Sequence, residues 1–62
     1  MTLISVLEKM GKYQKVILID NSAAKLFEGT AIELKEEHSE WHQCNVVYLE
    51  AGADTIGITI EL

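Results

Sequence analysis

Two histidines four residues apart, His38 and His42, with Glu37 just before and Cys44 just beyond, are the residues whose types and spacing could do chemistry. On a helix an i, i+4 pair presents both imidazoles to one side, a spacing used for zinc. Neither a His-Glu-x-x-His motif nor a second cysteine accompanies the pair, and no fourth ligand stands out. The competing reading is a pair of solvated histidines on an acidic surface helix. His38, His42 and Cys44 are therefore the candidate metal ligands, with no metal expected. Cys44 beside His42 also fits a thiol with a base. At i, i+2 the two point apart on a helix, and no orienting group or oxyanion loop is visible, so Cys44 reads as a buried structural cysteine. Glu36, Glu37 and Glu40 could act as acid and base. A chain of 62 residues leaves little room for a cleft, however, and glutamates at helical spacing normally form a solvated face. No glycine-rich phosphate loop exists, Gly52 and Gly57 reading as turn and strand glycines. No enzyme and no cofactor is expected.

Composition narrows the partners. Residues 1–25 carry four lysines against Glu8 and Asp20, a balance of +2, and residues 26–62 carry Lys35 against eight acids, a balance of −7. The net charge is −5 and there is no arginine, so direct binding to phosphate backbones is disfavoured. With one cysteine no internal disulfide can form, which suits a reducing cytoplasm. No apolar run is long enough for a membrane span, and a signal peptide's basic start and apolar core are missing. The chain makes one domain, residues 1–62. At this size a fold usually needs a disulfide, a metal or a partner chain to stabilise it.

The elements that must position these groups follow from periodicity. Leu3, Val6, Leu7 and Met10 recur at helical spacing, with Thr2 or a Ser5–Glu8 capping box at the start and Gly11 as a left-handed cap at the end. Val16-Ile17-Leu18-Ile19 has no polar position and reads as a central strand. Asp20-Asn21-Ser22 supplies a hairpin turn, with Lys25–Leu34 as the return strand and Gly29 as a bulge or close approach. Residues 35–43 read as one or two helical turns anchored by Trp41, or as an irregular crossover. Asn45–Leu49 is a third strand. Thr55–Leu62 alternates strictly, with Ile56, Ile58, Ile60 and Leu62 on its buried face. The fold expected is α+β: an N-terminal helix with a four-stranded antiparallel sheet of two hairpins, open or curled into a small open barrel. A short helical crossover joins the hairpins.

One helix covers only one face of such a sheet. Phe27, Ala31 and two residues of Val46–Leu49 are expected to join half of Val16–Ile19 on the other, an apolar patch of a size usually covered. Either the Trp41 segment folds across it or a second copy does. Phe27, Trp41 and Tyr48 are the candidate interface residues, Trp and Tyr being enriched at interface hot spots. The favoured function is a non-enzymatic protein–protein interaction protein, a homodimer or higher homo-oligomer formed through the sheet. The alternative is an acidic inhibitor of a host nucleic-acid enzyme. There Glu36, Glu37, Glu40, Glu50, Asp54 and Glu61 would stand in for phosphates against a basic host protein. A small metal-binding module is a further alternative.

Two resemblances bear on this. Lys15–Asp20, then Leu26–Ala31 with its central Gly29, then Asn45–Leu49, following an N-terminal helix, resemble the Sm-like small-barrel pattern. The basic RNA-contacting residues of that family are missing here, so the resemblance implies a barrel and no RNA binding. Val6-Leu7-Glu8-Lys9-Met10 leading into a Val-Ile-Leu strand, then Phe27–Leu34, a charged crossover and a terminal Ile58-Thr59-Ile60-Glu61-Leu62, cover nearly the whole chain. This arrangement is similar to small uncharacterised proteins encoded by phages and prophages of Gram-positive bacteria. That likeness implies an accessory role, for instance against a host system, and transfers no catalytic residues.

Overall fold

Val16–Ile19 forms the body of β1 (Lys15–Asp20), which is a central strand as its lack of polar positions requires. The computed structural model describes residues 1–62. The remaining elements are α1 (Leu3–Leu7), β2 (Lys25–Thr30), α2 (Ala31–Glu37), a 3-10 turn at Ser39–Trp41, β3 (Asn45–Ala51) and β4 (Thr55–Glu61). The strands lie in the order β2-β1-β4-β3. β1–β2 and β3–β4 are the two antiparallel hairpins expected, but β1 and β4 pair in parallel, with Val16 opposite Ile56 and Leu18 opposite Ile58. The sheet is therefore mixed rather than purely antiparallel. It is also open, with β2 and β3 as edges, and does not close into a barrel. These pairings make β2 and β3 run in the same direction at opposite edges. Parallel strands need a crossover element, and residues 31–41 supply it.

The return strand stops at Thr30 instead of continuing to Leu34. Thr30 and Glu33 form a capping box that starts α2: the Glu33 N–H donates to Thr30 Oγ1 at 3.3 Å, and Glu33 Oε1 accepts from the Thr30 N–H at 3.0 Å and from its hydroxyl at 2.9 Å. The Ser5–Glu8 box does not form. Thr2 is the N-cap of α1, its hydroxyl accepting from the Ser5 N–H at 3.4 Å. That helix ends at Leu7 rather than Met10, and Gly11 takes no left-handed conformation. The Asp20 turn is formed as expected, Asp20 Oδ1 accepting from the N–H groups of Ser22 and Ala24 and from the Ser22 hydroxyl. Residues 35–43 hold the end of α2 and the 3-10 turn.

Both helices lie on one side. Leu3, Val6 and Leu7 of α1 and Ala31 and Leu34 of α2 close over Val16, Leu18, Ile58 and Ile60, and these nine residues form the buried core. No buried side-chain nitrogen or oxygen lacks a hydrogen bond. No helix is long and apolar enough to cross a membrane.

The other side of the sheet is narrower in apolar content than expected. Phe27 pairs with Leu18 and Leu49 with Ile58, which puts both on the helix side, where Ala31 is already buried within α2. Val46 joins them there through its pairing with Ile60. What remains outside is Ile17, Ile19 and Tyr48, between Lys25 and Glu28 on β2, Thr59 on β4 and Glu50 on β3. Trp41 packs against the core on the helix side and does not cover this face.

The capping box makes one prediction. Thr30→Ala should lower stability by about 1 kcal/mol. Hydrogen bonds from the Thr30 N–H and hydroxyl also hold the Glu33 carboxyl below its ordinary value. Because the folded value is the lower one, the box's contribution is complete above the ordinary glutamate range and is lost as pH falls through the folded value. Asp20 is lowered in the same direction by the Ser22 hydroxyl and the Ala24 N–H. Urea midpoints followed by circular dichroism should decline on acidification, less steeply in the Thr30→Ala variant.

Candidate interaction surface

The two sheet edges are built differently. Edge strands are normally blunted by charge, bulges or covering segments, because their free N–H and C=O groups invite another strand. β2 has such protection. Leu26 is the extra residue of a bulge, and Lys25 and Glu28 form an ion pair at 2.8 Å on the strand itself. On β3 the beginning is covered and Val47 is the extra residue of a bulge, but no ion pair lies on the strand beyond it. The Val46 N–H donates to the Met1 carbonyl at 2.8 Å, Thr2 bridges Asn45, and the Leu3 and Ile4 N–H groups donate to the carbonyls of Cys44 and His42. From Val47 to Ala51 nothing lies alongside.

That free segment is apolar. Val47, Tyr48 and Leu49 are 49%, 59% and 43% exposed. Beyond the bulge at Val47 its backbone alternates regularly. The Gly52 N–H donates to the Thr55 carbonyl at 2.8 Å, so in this register Glu50 and Tyr48 direct their amides to β4 and Leu49 and Ala51 direct theirs outward. Beside the edge, on the helix side, Met1, Val6, Lys9, Met10, Leu49 and Ile56 line a groove of about 290 Å³. Five of those six residues are apolar.

The residues singled out from the sequence do not converge. His38 caps the end of α2 with φ −132° and ψ 59°, so the chain leaves the helix there and the i, i+4 relation to His42 is broken. The His38 ring stacks on Trp41 at 4.8 Å and meets the Phe27 ring edge-on at 5.2 Å, with Nδ1 3.2 Å from Glu40 Oε2. His42 Nε2 lies 2.7 Å from the Lys35 carbonyl. A carbonyl only accepts, so that nitrogen carries a proton and is engaged as a donor. Cys44 is half-buried against the core, and no three His, Cys, Asp or Glu side chains gather in ligating geometry.

Of the interface candidates, Phe27 and Trp41 pack on the core through the His38 stack, and only Tyr48 lies on the open side. The acidic candidates are divided. Glu36, Glu37 and Glu40 cluster around the end of α2, and Asp54 sits in the β3–β4 turn, 3.9 Å from Lys15. Glu50 is on β3, and Glu61 ends β4 beside Asn45. Glu40 is held below its ordinary value by its own N–H and by His38. Val47, Leu49, Met1 and Met10 were not among the candidates. The uninterrupted Val46–Leu49 run was the available signal, because a half-buried strand should alternate.

Comparison of the chain with protein-family models, with curated proteins and with solved structures finds no significant match.

Proposed function

We propose that this chain is a non-enzymatic protein–protein interaction protein that self-associates through its sheet. The observation supporting the reading is the uncovered stretch of β3, where three consecutive large apolar residues are exposed beside an apolar groove. An edge of this composition, without proline or lysine, tends to find a partner strand. The single free thiol suits a cytoplasmic setting. The likeness to phage and prophage proteins supports an accessory role for the assembly. An acidic phosphate mimic is less favoured, since its six carboxylates are distributed over separate regions of the surface.

Sedimentation velocity at tens of micromolar should give at least twice the 6.9 kDa mass of one chain. A mass of one chain across that range and up to hundreds of micromolar would remove the proposal.

A further inference from the structure

Resting on that reading, we infer that the occupant of the β3 edge is the same strand of a second copy, added antiparallel about a two-fold axis at Leu49. Backbone direction selects this register. Met1 and Thr2 occupy the edge at Asn45 and Val46, and Val47 is the extra residue of a bulge, so the regular free stretch is Tyr48 to Ala51. In a symmetric antiparallel pair centred on Leu49, Leu49 faces Leu49 of the second copy and Tyr48 faces Glu50. Hydrogen bonding agrees, because Leu49 directs both its N–H and C=O outward and can exchange two bonds with its mate.

Charge and the bulge exclude the neighbouring registers. Centring on Glu50 would set two carboxylates directly opposite each other, which is destabilising. Centring on Tyr48 would set the bulged Val47 opposite Leu49 and put on the axis a residue whose amide is directed to β4. With the axis at Leu49, Glu50 instead faces Tyr48 on the open side of the sheet. Residues directly opposite share a face, so the two Leu49 side chains meet on the helix side. There the two grooves lined by Met1, Met10 and Ile56 join into one apolar trough. The contact is isologous and closes at two copies, since the remaining β2 edges carry the Lys25–Glu28 pair and the Leu26 bulge. The product is one continuous sheet of eight strands.

The experiment compares three versions of the full chain with the wild type by sedimentation, with circular dichroism to establish folding. Leu49→Lys places a charge on the axis. A synthetic chain with N-methylated Leu49 keeps the side chain and removes only an N–H that the single chain does not use. Ile17→Lys alters the open face and leaves the edge alone. A dimeric wild type and Ile17→Lys, with the Leu49 versions folded and associating about tenfold or more weakly, is the result expected. A wild type that associates while both Leu49 versions remain dimeric would overturn the edge inference but leave self-association standing. Dissociation by Ile17→Lys alone would move the contact to the open face, again overturning the inference. A monomeric wild type would end both readings.

Discussion

Leu18→Ala is expected to leave a large fraction of the chain unfolded in the absence of denaturant. Leu18 is fully buried in the middle of β1, between Phe27 on β2 and Ile58 on β4, with both helices above it. Truncating such a leucine removes its transfer free energy and leaves a void that the neighbours fill only in part, at a cost of about 2–5 kcal/mol. A domain of this length has a total stability of roughly 3–9 kcal/mol. The loss is therefore comparable with the whole. Its neighbour Ile17 projects to the open side and is only half-buried, so Ile17→Ala should cost about 1 kcal/mol or less. Urea titrations of the two variants, followed by circular dichroism, should differ by several-fold in lost stability. Equal losses would mean that the sheet is covered on both sides.

The second large effect belongs to Gly29. A Cβ there would stand 2.9 Å from Phe27 Cζ and 3.0 Å from Glu33 Oε1. Gly29 has no positive φ, so the obstacle is steric rather than conformational. Neither obstructing group is free to retreat. The Phe27 ring is backed by His38, which is backed by Trp41, and the Glu33 carboxylate is held by Thr30. Gly29→Ala should therefore cost about 1–3 kcal/mol, with part of that offset by the smaller entropy of the unfolded alanine chain. A change in Trp41 emission in the folded protein should accompany the loss, because displacing Phe27 disturbs the stack. Gly57→Ala is the control. Its Cβ would meet nothing closer than 3.7 Å, and no destabilisation is expected. Unchanged stability and emission in Gly29→Ala would show that the ring moves freely.

These two sites also show what local pattern could reveal. Ile58 and Ile60 alternate with Gly57, Thr59 and Glu61 and are buried as that alternation requires, whereas Ile56 is only half-buried and Leu62, beyond the end of β4, is exposed. Gly29 in mid-strand suggests a bulge or a close backbone approach, but the bulge is at Leu26 and what crowds Gly29 is the side chains of Phe27 and Glu33. The boundary at Thr30 was harder to see. Ile32 and Leu34 keep the parity of a strand, and a helix as short as α2 places only Ala31 and Leu34 in the core, so the two periods nearly coincide. The Thr30–Glu33 spacing was the discriminating feature. The parallel pairing of β1 with β4 leaves no mark in either strand, because apolar alternation is identical in both senses. Only the direction forced on β2 and β3 by their crossover distinguishes them.

The candidate site was obscured by two breaks in regularity. The helical spacing of His38 and His42 presumed a continuous helix, and the backbone turns out of α2 at His38. On β3 the pairing shifts between Val46 and Tyr48, with Val47 as the extra residue. Val46 and Leu49 therefore face the same side although three positions apart, and Tyr48 faces the other. No count by twos through Val46-Val47-Tyr48-Leu49 predicts that division.

The parallel contact at the centre of the sheet also governs when the chain can fold during synthesis. Val16 and Leu18 wait for Ile56 and Ile58, forty positions later, before either has its second neighbour. While the ribosome still holds β4, the emerging polypeptide can form the β1–β2 hairpin and α2, but both flank an unfilled middle. Emergence of β4 from the exit tunnel is the event that lets it take its place beside β1 and gives β3 a strand to pair with. A nascent chain stalled before Thr55 should accordingly remain sensitive to protease along its whole emerged length.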